Sequence, residues 1–372
     1  MSVSEHLPKL RILQVITARR FYGAERVLVH LCEGLRERGH EVWVACKPNE
    51  DVERELRDIG ITVFPMPIAG KVNPVAPFRL AGLARRLKVD VIHTHLSSAS
   101  LWGSVAGRML GVPVVAEVHA LNSRRCFMLA NRIVTCSEGV RRHLLRLRVP
   151  AERMDVLYNG LPSRLFEGLK SRDEVRRELG LPLDTPAIGA VAHLAPKKGQ
   201  RHLLEAVLLL RARFPNLVCL FVGEGETFLE LEELAEQMGV QDAVRFLGFR
   251  SDAVQLMVGL DVVVLPSVAK EGLGVALIEA GFLGKAAVAS DCSGIDEVIV
   301  DGETGLLVTP GDSWALADSI ASLLLDPARA ARLGAAARER VSGLFTMGAM
   351  ARRAEEIYYE LLRRHHRLPR TT

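Results

Sequence analysis

Short runs of Val, Ile and Leu recur along the chain, most of them followed by a stretch with helical spacing. In the first half they fall at Ile12–Thr17, Val42–Cys46, Ile61–Phe64, Val89–His93, Val114–Val118, Ile133–Cys136 and Val156–Leu157. Nearly unbroken apolar order, rather than strict alternation, marks strands buried on both faces. Strands separated by helices pair in parallel. Glu25–Arg38, stopped by Gly39, reads as the first helix. The rhythm pauses around Asn159-Gly160-Leu161-Pro162. It restarts at Ile188–His193, followed by Leu217–Val222, Val244–Leu247, Asp261–Leu265 and Ala286–Ser290. The pattern predicts an α/β protein of two doubly wound parallel-sheet domains, residues 1–165 and 166–346, with the linker near 160–172. A length of 372 residues suits two domains better than one. Residues 347 to about 365 read as an amphipathic helix, the stretch carrying Arg352, Arg353, Arg363, Arg364 and Arg367, expected to pack back on the first domain.

Charge is distributed unevenly. Residues 1–165 hold 25 Lys and Arg against 15 Asp and Glu, a balance of +10, and the remainder holds 23 against 29, a balance of −6. A basic first half suits an anionic partner, such as a membrane surface or a phosphorylated acceptor. Aromatic residues make up only 5% of the chain, too few to interleave with the basic residues as stacking platforms, so no nucleic-acid partner is expected. No apolar run reaches the length that spans a bilayer, and Met1 to Leu10 is too polar for a signal-peptide core. The six cysteines lack any C-x-x-C spacing and read as small buried apolar residues in a reducing cytosol. A cytoplasmic protein is expected, peripheral on the inner face of the cytoplasmic membrane if the basic half meets lipid. Arg141, Arg142, Arg146 and Arg148 around Leu144, Leu145 and Leu147 form a candidate interfacial segment.

Candidate site residues cluster after strands. Glu271-Gly272-Leu273-Gly274-Val275 through Glu279 follows the run Val262–Leu265 and its close at Pro266-Ser267. Strand, glycine turn and helix start together make an anion site from free N–H groups and a positive dipole end. Read as one helix running to about Gly284, the segment places Glu279 two turns beyond Glu271 on the same face, one acid at the mouth and one deeper in. The strand at 188–193 ends in His193-Leu194-Ala195-Pro196-Lys197-Lys198-Gly199, where Lys198 suits a diphosphate and His193 offers an N–H. Gly223-Glu224-Gly225 is not G-x-G-x-x-G, which argues against an ordinary dinucleotide site.

In the first half, Phe21-Tyr22-Gly23-Ala24-Glu25 joins the first strand to the first helix. Gly23 allows a backbone to approach a ligand. Glu25 either meets that ligand or complements the helix dipole. His93-Thr94-His95 closes one strand and His119 another. H-x-H raises a metal reading, but no third and fourth ligand stand at a suitable spacing. A strand-end histidine also donates to sugar hydroxyls or stabilises developing charge. No nucleophile elbow, P-loop, H-E-x-x-H or D-x-D is present.

Taken in order, these segments resemble the retaining glycosyltransferases of the GT-B fold, specifically glycosyltransferase family 4 (glycosyl transferases group 1). The E-x7-E segment 271–279, extended by 284–291, Ser293–Ile299 and Asp301–Val308, carries most of the resemblance. Tyr22–Glu25, Val91–His95, His119, Thr135-Cys136-Ser137-Glu138 and Tyr158-Asn159-Gly160 follow the family's order in the first half. The resemblance implies two Rossmann-like domains facing across a cleft, the first binding acceptor and the second a nucleotide diphosphate sugar. UDP-sugar is favoured as donor, and neither metal nor cofactor is expected. Glu279 would hold the ribose and Glu271 would sit by the donor sugar. The backbone N–H groups of Leu273, Gly274 and Val275 would hold sugar and diphosphate. Lys198 would neutralise the leaving diphosphate, with His193 and Gly223 in the same donor site. His119 would contact the transferred sugar, and the Tyr22–Glu25 loop would close over diphosphate and acceptor. The catalytic set is then His119, Glu271 and Lys198. Two positions depart from the family pattern. His193 stands where an arginine is usual, and Tyr22 replaces the first of two loop glycines.

The implied reaction moves a hexose-type sugar to a saccharide or lipid-linked acceptor in cell-envelope polysaccharide or lipopolysaccharide biosynthesis. Retention without an enzymic nucleophile implies attack from the leaving-group face through an oxocarbenium-like state, with catalysis by positioning and electrostatics. Competing readings are a GT-B sugar-nucleotide epimerase or phosphorylase, and a non-catalytic carbohydrate-binding protein.

Overall fold

The computed structural model describes residues 8–17, 23–68, 70, 72–120 and 124–365. The described residues up to Pro162 and those from Phe345 onward form one unit; Ser163–Leu344 form a second.

Seven strands make the first unit's sheet: β1 (Arg11–Ile16), β2 (Glu41–Cys46), β3 (Thr62–Pro65), β4 (Val91–His95), β5 (Val114–Val118), β6 (Arg132–Thr135) and β7 (Met154–Val156). All pair in parallel, in the order β3-β2-β1-β4-β5-β6-β7. Helices α1 (Gly23–Glu37), α2 (Glu50–Asp58), α3 (Ala76–Leu87), α4 (Ser97–Leu110) and α5 (Glu138–Arg146) join them. Strand order reverses between β1 and β4, and ligands in such sheets bind at the carboxyl ends beside that switch point. β4 lies two residues later than its apolar run predicts, because its polar residues His93, Thr94 and His95 are fully buried inside the ladder rather than ending it. β7 likewise takes in Met154 and Asp155 and ends at Val156.

The last helix, α13 (Met347–Arg364), belongs to this first unit. It packs on α1, where a Cβ at Gly34 would fall 2.9 Å from Ala351 Cβ, so glycine is needed for the close approach. Glu355 of α13 pairs with Arg38 at 2.7 Å and with His40 at 3.2 Å, and Arg353 pairs with Asp155 at 2.9 Å. Helix α5 is capped by the Ser137 side chain, which accepts from Val140 N, and buries Val140 and Leu144. Leu147 packs on the same core, and Leu145 is the one of the three leucines that is exposed. The interfacial reading of this segment therefore fails for two of its leucines: its apolar face covers the sheet.

The second unit holds β8 (Ala187–Val191), β9 (Val218–Val222), β10 (Val244–Phe246), β11 (Val262–Leu265), β12 (Ala286–Ser290) and β13 (Leu306–Val308). Their parallel order is β10-β9-β8-β11-β12-β13, with its switch point between β8 and β11. Helices α6 (Arg172–Glu178), α7 (Gln200–Arg211), α8 (Phe228–Gln237), α9 (Ala253–Val258), α10 (Val275–Phe282), α11 (Ser313–Leu325) and α12 (Pro327–Leu344) complete it. The three-residue β13 goes unread in the sequence.

One buried cation fastens the amino ends of the two switch-point strands. Arg176 of α6 is fully buried and donates to the carbonyls of Gly259 (2.9 Å), Leu183 and Thr185 (both 2.8 Å) and to Asp261 Oδ2 (2.7 Å). The same Asp261 oxygen accepts from the backbone N–H of Ala187 at 2.8 Å, so it ties the start of β8 to the start of β11.

Candidate active site

The carboxyl ends of β8 and β11 carry the candidate donor residues. After β8 the chain makes one tight turn over Pro196–Lys198 and enters α7 through Gly199. Gly199 has φ +67°, and a Cβ there would stand 2.0 Å from the Pro266 carbonyl oxygen. Only glycine permits this approach, which brings Lys198 to the end of β11. Lys198 Nζ lies 2.8 Å from Glu271 Oε1, and the fully buried Ser267 donates its hydroxyl to the same oxygen at 2.6 Å. Glu271 is thus an anion fixed by one cation and one hydroxyl at the sheet's switch point. Beside it, burial pushes the Cys292 thiol up to about 11, with Glu271, Asp291 and Asp296 adding to the effect.

Glu271 is not on the helix that the sequence suggests. α10 begins at Val275, and the preceding glycines keep 271–274 in loop conformation. Glu271 N donates to Ser293 O at 3.0 Å, anchoring that loop to the segment after β12. Glu279, in the second turn of α10, is buried. The two acids therefore come from a loop and a helix, not from one helix face. Among the described residues no backbone carbonyl accepts from Leu273 N or Gly274 N, whereas Val275 N turns back on Leu273 O at 2.9 Å.

His193 is half-exposed and faces Glu226, with Nε2 3.0 Å from a carboxylate oxygen. Gly223 has φ +142°, and a Cβ there would meet the Ala192 carbonyl at 2.1 Å, so its glycine character is set by packing between the ends of β8 and β9. Lys285 stands away from this group, donating to the carbonyls of Val258 and Leu260 at 2.7 and 2.8 Å.

In the first unit, Gly23 opens α1 in open space, and Glu25 in its first turn is buried. Ala24 is half-buried between them. Tyr22 lies outside the described residues. His95 and His119 close β4 and β5, joined by Glu117, which the sequence reading passed over. Register sets Glu117 directly beside His95 across the β4–β5 pair. Its fully buried carboxylate lies 3.3 Å from His93 Nε2, 3.2 Å from His95 Nδ1 and 3.6 Å from His119 Nδ1. None of these is an aligned hydrogen bond to the carboxylate. Burial alone would raise the Glu117 pKa, yet His119, His95 and His93 hold it down to about 2. Burial pushes His95 and His119 below the ordinary histidine value, against the pull of Glu117. Leu96, next after His95, takes a left-handed φ of 70°, a strained value for a residue with a side chain.

This cluster supplies the third donor that spacing did not reveal: ligand atoms of His93, His95 and Glu117 lie within 4.8 Å of one another. The rings are stacked, with interplanar angles of 21° for His93–His95 and 18° for His95–His119. His93 Nε2 and His95 Nδ1 both turn toward one Glu117 oxygen, at 3.3 and 3.2 Å.

A pH dependence follows. All three lowered pKa values favour the unprotonated form in the fold, so their stabilisation is complete above the unfolded values and is lost on acidification. The loss is expected to begin near pH 6.5 as unfolded histidines protonate, and to continue through about 4.5 toward 2 for Glu117. Melting of the first unit, followed by tyrosine spectra against pH, checks this. A melting temperature that stays flat from pH 7 to pH 4 would contradict it.

Two Rossmann-like parallel sheets are the architecture of the GT-B glycosyltransferases. Residues 171–340 match the family described as Glycosyl transferases group 1, and residues 21–164 match Glycosyltransferase Family 4. A relative from Bacillus subtilis, EpsD, named as a glycosyltransferase, is 36% identical over 304 residues, 74% of this chain and 79% of its own. The lipopolysaccharide core biosynthesis glycosyltransferase LpsE of Rhizobium meliloti is 27% identical over 346 residues, 91% of this chain and 95% of its own. Anabaena Alr3699/HepE, solved in complex with UDP-glucose, superposes with a TM-score of 0.84 at 25% identity, covering 94% of this chain and all of that one. The chain belongs to the group 1, family 4 glycosyltransferases.

Proposed function

We propose that this glycosyltransferase moves a hexose-type sugar from a UDP-sugar to a saccharide or lipid-linked acceptor, with retention of configuration and without a metal. The observation that carries the reading is the Lys198–Glu271 pair, 2.8 Å apart at the carboxyl ends of β8 and β11. Lys198 supplies a point charge for a departing diphosphate, and Glu271 and Ser267 give it a fixed position before the donor arrives. The buried Glu279 on α10 is the ribose acceptor, and the N–H groups of Leu273 and Gly274 face the diphosphate. Metal independence rests on Lys198 doing what a bridging cation otherwise does.

The UDP preference is supported by the UDP-glucose complex of the Anabaena neighbour. The acceptor class is supported by the name of the Rhizobium relative, a lipopolysaccharide core enzyme, and by the basic first half of the chain. Among the described residues no helix is long and apolar enough to cross a membrane. A cytoplasmic enzyme meeting an anionic membrane surface through charge alone fits these features, and the pathway would be envelope polysaccharide assembly.

The test is a thermal-shift series with UDP, GDP and ADP, each with and without EDTA, followed by transfer from UDP-glucose to a saccharide acceptor. UDP at about 100 times its Kd is expected to add about 2.7 kcal/mol of stability, unchanged by EDTA. NMR of the product is expected to give the donor's anomeric configuration. Product formed without an acceptor would favour an epimerase, and a rate abolished by EDTA would remove the metal-independent reading.

A further inference from the structure

The buried cluster in the first unit has more order than a packed core needs. The Gln14 side-chain amide faces Tyr358 OH through Nε2 at 3.5 Å and His95 Nε2 through Oε1 at 2.9 Å. In that orientation Nε2–H of His95 donates to Gln14, which leaves Nδ1 of His95 as an acceptor. That nitrogen lies 3.1 Å from His119 Nε2, so Nε2–H of His119 donates to it. The other His119 nitrogen, Nδ1, faces Glu117 Oε1 at 3.6 Å. On the far side, Tyr358 OH meets His93 Nδ1 at 2.5 Å, and His93 Nε2 turns to Glu117. Apart from His119, whose side chain is 10% exposed, every ring and carboxylate in this circuit is sealed from solvent.

We propose that Glu117 and His95 are positioning residues for His119: they engage its ring on both nitrogens, fix one proton on Nε2, and leave Nδ1 as the single place where a second proton enters. The inference rests on the reading of His119 as part of the transfer site. A neutral His119 presents a lone pair to the Glu117 carboxylate, an unfavourable contact that protonation at Nδ1 turns into an attractive one. Burial works against a cationic His119, and the Glu117 carboxylate offsets part of that penalty at a fixed orientation of the ring. Groups facing His119 are Glu117 on β5, His93 and His95 on β4, and Glu25 on α1, with Gln14 on β1 and Tyr358 on α13 behind them. The two carboxylates favour the added proton, and burial and His93 oppose it.

Histidine-selective 15N labelling of the full chain, read by long-range proton–nitrogen spectra across the pH range where the fold holds, tests this directly. His119→Asn assigns the signals. The expected result is a neutral Nε2–H tautomer for His95 throughout and a His119 whose titration midpoint falls by about one pH unit in Glu117→Gln. With UDP-glucose as donor, Glu117→Gln is expected to lower kcat about tenfold with little change in KM, and to have no further effect in a His119→Asn background. An unchanged His119 midpoint in folded Glu117→Gln, an Nδ1–H tautomer of His95, or a stoichiometric metal in the purified protein would overturn the proposal. If Glu117→Gln does not fold, Glu117→Asp keeps the charge but withdraws it by one methylene. It is expected to move the midpoint in the same direction by less, and no movement again overturns the proposal. Should UDP-glucose not be turned over at all, the proposed reaction fails while the spectra still decide where the protons lie.

Discussion

Replacing Lys198 by alanine is expected to lower kcat about 10²- to 10³-fold while the melting temperature stays within a few degrees of wild type. The activity estimate follows from the role proposed for Lys198, one fixed charge set against a departing diphosphate in a partly desolvated site. The small stability effect follows from the geometry: Lys198 retains 18% of its side-chain exposure, and Glu271 keeps the Ser267 hydroxyl when the lysine is gone. Glu271→Gln separates the two roles. It preserves shape and the Ser267 contact but leaves Lys198 without its anion, so its rate is expected to fall while binding of free UDP, which carries the diphosphate but no sugar, changes little. Steady-state kinetics with calorimetric UDP binding measure both. Near wild-type turnover in both variants would remove the Lys198–Glu271 pair from the chemistry.

The largest stability effect is expected at Arg176, far along the strands from that pair. Arg176→Ala leaves three carbonyls and Asp261 short of a buried donor, a loss of about 3–5 kcal/mol. For a unit of this size that corresponds to roughly 10 °C or more in melting temperature. Arg172 still reaches the other Asp261 oxygen at 3.1 Å, which keeps the acid from standing alone. Arg176→Lys retains the charge but spans fewer acceptors and is expected to fall between alanine and wild type. Scanning calorimetry of the full chain reads the effect as a lowered transition for the second unit. A shift under about 2 °C for Arg176→Ala would mean the clamp is dispensable.

Arg176 also marks where the sequence stops being legible. It sits in Arg172–Glu178, a charged segment that goes unassigned in the sequence, and nothing local says that one of its arginines is buried. Strands such as Val114–Val118 and Ala286–Ser290 are legible because apolar runs bounded by turn residues admit one reading. β13 is too short to stand out, and its pairing with β12 decides it. Lys198 and Glu271 could be singled out separately from their places after strands, but their 2.8 Å pairing depends on β8 and β11 being neighbours, which is tertiary information. Ser267 lay in the same position, visible only as a strand end. Glu117 was the clearest missed signal. A carboxylate inside a fully apolar strand must have partners, and only the register of β4 against β5 says they are histidines.

The placement of α13 has a consequence for the order in which the protein is made. Every residue of the second unit leaves the ribosome before Met347–Arg364 does. The first unit, although begun earlier, waits for those residues: until they emerge, Gln14 and His93 lack Tyr358, and Arg38 and His40 lack Glu355. Completion of the two units therefore runs against the usual order of amino-terminal domain first. A chain halted at residue 344 would carry a complete second sheet and an unfinished histidine cluster, which makes a late stop codon more damaging to the first half of this protein than to the half it adjoins.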